Sequence, residues 1–234
     1  MTTDPIEKEK LAALATNLVA TLEAVVSTTE DRLDERATNV QDIVKAAAEP
    51  NGEFLVPLTP ERIAAMRTSL QSIDSTSLDE GFLSTVDAWM KKSLDDGLDG
   101  MVAILQKVLQ IYAGYAIKSA RVKLQADVGA SVSGQNQAKV DEVLAKQGSS
   151  EPTSSALLME SLMETDTDMW GFELKKMFDT GEVTPLSIKG EVQRTMEAVV
   201  LGLDNGSMAQ RVQAEYLREL VTRIDNLATD EISN

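Results

Sequence analysis

Apolar residues recur along this chain at intervals of three and four, the spacing that gathers side chains on one face of an α-helix. Near the start they fall at Leu11, Leu14, Leu18, Leu22, Val25, Leu33, Val40 and Val44. Leu11, Leu22, Leu33 and Val44 are each eleven apart, and an eleven-residue repeat runs nearly straight along a helix. Asp4 and Pro5 supply a cap and a first helical residue. A single helix over residues 5–48 would measure about 66 Å, against a diameter of about 45 Å for a compact chain of this length. It therefore projects or breaks, and Ser27-Thr28-Thr29-Glu30 is a capping box placed for a break. The stripe is clean from Leu11 to Val25 and thins beyond Ser27, with Thr29 and Arg36 at stripe positions. The first half is expected to pack on an apolar surface, the protein's own or a partner's, and the second half to be more exposed.

Glu49-Pro50-Asn51-Gly52 stops this element. A loop over 53–58 follows, with Phe54, Leu55 and Val56 as apolar anchors. Thr59-Pro60-Glu61 starts a helix carrying Ile63, Met66, Leu70 and Ile73. The capping box Ser77-Leu78-Asp79-Glu80 opens another, with Phe82, Val86, Trp89 and Met90. After Asp95-Asp96-Gly97-Leu98-Asp99-Gly100 comes the most apolar stretch, a central helix over about 99–127 in which Leu105 and Leu109 should be deeply buried. Gly129 to Gly134 is read as a turn and 136–147 as a short helix. The Gly-Ser-Ser-Glu-Pro-Thr-Ser-Ser run at 148–155 is the best linker. It divides the chain into an N-terminal helical part, 1–147, and a C-terminal one, 156–234. Helices are expected there over about 155–164, 168–179, 185–203 and 208–228, marked by Thr184-Pro185 and by the capping box Ser207-Met208-Ala209-Gln210. Nothing alternates over the length of a strand. The fold class is all-α, an irregular bundle of about seven to nine helices around the central one.

Composition narrows the chemistry. The 234 residues hold no cysteine and no histidine, which removes disulfides, thiolate and imidazole metal ligands, and the commonest general base. Any catalysis would rest on carboxylates, Lys, Tyr, Ser or Thr. Aromatics are 4%, so the core is aliphatic and rich in Met, which suits helix packing. The net charge of −16 argues against nucleic acid and anionic membrane as partners. Residues 101–117 contain Gln106, Lys107 and Gln110 and are too short and polar for a membrane span. The start, Met1 to Pro5, lacks the features of a signal peptide.

Asp95, Asp96 and Asp99 are the sharpest candidate site. Carboxylates one turn apart can hold Mg²⁺, which clamps a diphosphate. The string resembles the aspartate-rich motif of prenyl-diphosphate and terpene synthases, which implies a Mg²⁺-dependent helical enzyme. The second acidic motif of those enzymes is missing here, and Gly100-Met101-Val102 stand where their basic residues follow. The competing reading is a capped helix boundary with Asp99 as cap. Asp166-Thr167-Asp168 with Gly171 starts like a calcium loop, but Trp170 and Met177 occupy ligand positions. Lys118, Arg121 and Lys123 either dock an acidic partner or complement the C-terminal dipole of the central helix. Trp89 and Trp170 read as core or interface packing.

Two stretches, Glu80 to Trp89 leading into Leu105 to Ala113, and Gln210 to Leu217, resemble uncharacterised plastid proteins of plants and algae. The resemblance implies a stromal setting and no activity. A cytoplasmic or stromal protein is thus expected, with no cofactor and a protein partner. The leading function is a non-enzymatic interaction or assembly factor docking through Leu11, Leu14, Leu18, Leu22 and Val25. The alternatives are a bundle enclosing an apolar small molecule and the carboxylate–Mg²⁺ enzyme. An exposed apolar stripe, a large apolar pocket beside the central helix, or two converging acid clusters would separate the three.

Overall fold

A computed structural model describes the backbone of residues 5–133 and 153–232, and the side chains of 17–21, 24, 26–124 and 153–229. The described residues form an all-α bundle of eight helices. The expected helix at 136–147 and most of the linker at 148–155 lie outside them.

Helix α1, Pro5–Ala46, is a single element of 42 residues. It does not break at Ser27. The Thr28 hydroxyl donates to the carbonyl of Ala24 at 2.8 Å, four residues back, and Thr21 does the same to Asn17. These threonines thus bond within a continuous helix. Helix α2, Pro60–Ser72, begins as its sequence dictates, with Thr59 accepting from the Arg62 N–H. In α3, Glu80–Asp95, the cap is Asp79, which accepts from the Phe82 N–H at 2.9 Å, and not Ser77, which instead donates to Glu35 at 2.7 Å. Helix α4, Asp99–Ser133, runs through the glycine at 129 where a turn was expected. The corner between α3 and α4 needs Gly97, whose φ of 72° lies in the left-handed region.

Helix α5, Ser154–Glu164, starts inside the stretch expected as linker, with Thr153 as its cap. A 3₁₀ turn at Thr167–Met169 leads into α6, Trp170–Asp179. Helix α7, Pro185–Ala198, carries the reciprocal Thr184–Ser187 capping box and ends in a second 3₁₀ turn, Val200–Gly202. Helix α8 covers Met208–Ile232.

The core forms two clusters strung along α4. Ile104, Leu105 and Val108 pack with Val40 and Ile43 of α1, Met66 of α2 and Phe82 of α3. Farther along α4, Ala113 and Ile117 pack with Met159 of α5, Trp170 of α6, Ile188 of α7 and Leu217 of α8. Asp99–Leu124 is long and apolar enough to cross a membrane by length and composition. Its fully buried Ile104, Leu105 and Val108, against three other helices, mark it as the core helix of this bundle. Leu105 is fully buried as expected; Leu109 is only half-buried and faces a cleft. Phe54, Leu55 and Val56, expected as apolar anchors, are exposed.

Candidate functional site

Helix α1 meets the body of the bundle at Glu35 and Arg36. Arg36 pairs with Asp79 at 2.6 Å while Glu35 takes the Ser77 hydroxyl. The Arg36 guanidinium lies over Gly81, where a Cβ would stand 2.0 Å from Cζ. Burial opposes ionisation of Asp79, but the hydrogen bond and charge of Arg36, with the Phe82 N–H, outweigh it and hold the carboxyl below its ordinary value. Beyond this junction Val40, Ile43, Val44 and Ala47 are buried in the first cluster.

On the other side of the junction the helix continues toward Pro5. Every described side chain from Asn17 to Glu35 is exposed. Leu18 is 54%, Val19 53%, Val26 54% and Leu33 53% exposed. The second half, expected to be the more exposed one, thus carries the packed end, while the described side chains of the first half are exposed. Val19, Val26, Leu33 and Val40 are seven residues apart, so one seam runs from the exposed segment into the core. The eleven-residue count followed a neighbouring line of the same face and missed this heptad. Of the five stripe residues, Leu18 is exposed; the side chains of Leu11, Leu14, Leu22 and Val25 lie outside the described ones.

The three basic candidates sit well inside α4 and do not form one free face. Lys118 pairs with Glu164. Arg121 is nearly buried, 3.7 Å from the buried Glu191 and 2.5 Å from the Thr195 hydroxyl. Lys123 is exposed. Asp95 and Asp96 end α3, and Asp99 lies in the first turn of α4, where Leu98 occupies the cap position and accepts from Met101 and Val102. All three acids are exposed, and Asp96 pairs with Lys92 at 2.9 Å. Among the described residues no three His, Cys, Asp or Glu side chains converge as a metal-holding group.

Asp166 caps the 3₁₀ turn and pairs with Lys107 at 2.8 Å, each side chain 13% exposed. Burial opposes its charge, yet the Lys107 and backbone hydrogen bonds hold its carboxyl below the usual value. Next to it, Thr167 donates to Gln110 at 3.0 Å. This pair lies at one side of a cleft of about 850 Å³ between α4, α7 and α8. Leu109, Met196, Val200, Met208 and Val212 give it apolar lining, and Gln106, Asp87, Arg211, Glu215 and Arg218 make it polar elsewhere. Of the stretch 101–117, which the small-molecule alternative has lining a cavity, Gln106, Leu109 and Gln110 face this cleft, and α8 supplies most of its wall. Burial pushes the Tyr216 hydroxyl at this wall far up.

In comparisons with known proteins, no family model, no curated protein and no solved structure matches this chain.

Proposed function

We propose that this protein is an assembly factor whose α1 segment, residues 5–34, is a docking arm for an apolar helical partner. One observation carries the reading: Leu18, Val19, Val26 and Leu33 are all more than half exposed on a helix whose same seam, at Val40, is fully buried. An amphipathic helix owes most of its stability to what its apolar face packs on. The segment is also almost free of charge from Leu11 to Thr29, with Glu23 alone, and charge depletion is the compositional sign of an interface centre. A stromal setting, from the resemblance at 80–89, 105–113 and 210–217, belongs to the same proposal. The test is affinity capture with the full chain and with Leu18→Glu/Val26→Glu. Proteins held by the first and lost from the second, with equal melting temperatures, are expected. Identical captures and identical sedimentation of the two chains would remove the reading.

The cleft supports a second reading, an amphipathic small ligand. Its volume of about 850 Å³ lies in the range of ligand sites. A saturable, fluorescence-reported binding of an anilinonaphthalene sulfonate probe, abolished by Leu109→Arg, is the expected result; binding unchanged in that variant removes this reading.

A further inference from the structure

We propose that the occupant of the α1 arm is a second copy of α1, packed antiparallel about a two-fold axis at Leu18. The inference rests on the reading of α1 as a docking arm and names its partner.

A two-fold contact uses the same patch on both chains, so the patch must be complementary to itself. For two antiparallel helices this means that the spacing of the apolar positions reads the same in both directions. Leu11, Leu14, Leu18, Leu22 and Val25 are spaced three, four, four and three, a pattern unchanged by reversal about Leu18. Four steps covering fourteen residues average 3.5, the period at which two helices keep one seam in contact. The register then sets Leu11 opposite Val25, Leu14 opposite Leu22, and Leu18 opposite its own copy.

Two features of the molecule fit that register. The first is length. Pairing residue i with 36 − i places Pro5 of one chain opposite Asp31 of the other, a turn short of Glu35 and Arg36 where α1 meets the body. The arm is thus used from its first residue almost to its root, an overlap of about 40 Å. The two bodies sit at opposite ends and do not compete for the same space. The second is charge. The charged residues from 5 to 31 are Glu7, Lys8, Glu9, Lys10, Glu23, Glu30 and Asp31. Their opposites are Thr29, Thr28, Ser27, Val26, Ala13, Ile6 and Pro5. No charge stands directly opposite a charge, so no like-charged pair faces itself across the contact. The face is moreover the one α1 already packs with: on a helix of 3.6 residues per turn, positions 11, 18, 22 and 25 project onto the sector that the buried Val40 and Ile43 occupy.

Sedimentation equilibrium of the full chain tests the stoichiometry, and cysteine cross-linking tests the register, in a chain with no cysteine of its own. The expected species has twice the 25.4 kDa chain mass. Leu18→Glu, which sets two carboxylates at the axis, returns it to one chain mass. Leu33→Glu, beyond the overlap, leaves the dimer intact. Under mild oxidation Leu18→Cys cross-links to itself. Val25→Cys cross-links to Leu11→Cys and not to itself, since two copies of residue 25 lie about 21 Å apart in this register. Self-cross-linking of Val25→Cys with none to Leu11→Cys means parallel pairing and overturns the proposal. A single-chain mass at every concentration overturns it too. The capture experiment separates that failure from failure of the docking arm itself, because partners lost from Leu18→Glu/Val26→Glu would show the arm occupied by another protein.

Discussion

Glu80, the first residue of α3, caps the helix that begins at Met208. Its two carboxylate oxygens accept from the backbone N–H groups of Met208 and Ala209, each at 2.9 Å. A helix start has four orphan donors and a partial positive charge, and a carboxylate answers both. Here the carboxylate comes from 128 residues away, so it also ties α3 to α8. Glu80→Ala should destabilise the protein by about 1 kcal/mol, and Glu80→Gln by less. The shift of the urea midpoint measures both, and equal midpoints for all three chains would contradict the cap.

Glu80 also illustrates what the sequence makes legible. Ser77 to Glu80 has the letters of a local capping box, and a helix does start there. The sequence does not say that Asp79 takes the cap while Ser77 and Glu80 reach to Glu35 and Met208, because those partners are set by how helices cross. The helix starts at Pro60, Pro185 and Met208 were readable, since Thr59, Thr184 and Ser207 act on donors three residues away. The stripe on α1 was readable as a stripe. Which end of it is buried was not: periodicity gives a face, and only the reach of α2 and α3 decides how far along that face the body extends. The same limit applies to Arg121, an apparent surface cation that Glu191 takes inside.

Gly114 lies where α4 packs closely against α5. A Cβ there would lie 2.5 Å from the Met163 carbonyl oxygen and 2.8 Å from the Tyr216 hydroxyl. The first is backbone and cannot swing aside. Ala has the better helix propensity by about 1 kcal/mol, so a site free of contact would gain stability. Gly114→Ala should instead cost about 1–3 kcal/mol by overpacking. A thermal midpoint at or above that of the parent chain would show that α5 can move away.

Asp166 should make stability depend on acid. Its folded-state pKa is lowered from 3.8, so its contribution is fully present above the unfolded value and is lost as pH falls through the folded one. Asp166→Asn removes that contribution and leaves Lys107, with only 13% of its side chain exposed, to the more distant Asp168. The gap in urea midpoint between the parent and this variant should be widest near neutrality and narrow progressively as pH falls below the ordinary value of 3.8. A gap that stays constant across that range would show that the loss is one of packing and not of charge.

Leu33 and Ile43 lie on the same helix and differ in what they touch, which makes them the sharpest pair for locating the junction. Ile43 is fully buried in the first cluster, so Ile43→Ala removes packed methyl groups and leaves a cavity, at about 2–5 kcal/mol. Leu33, ten residues earlier, is 53% exposed, and Glu is nearly as good a helix former as Leu. Leu33→Glu should therefore change stability by less than about 0.5 kcal/mol. If α1 stops packing at Arg36, circular dichroism of Leu33→Glu keeps its full helical signal and its urea midpoint, while Ile43→Ala loses midpoint. A cost above about 2 kcal/mol for Leu33→Glu would place that residue in an intramolecular core, and the arm would have to begin nearer the N-terminus than Arg36.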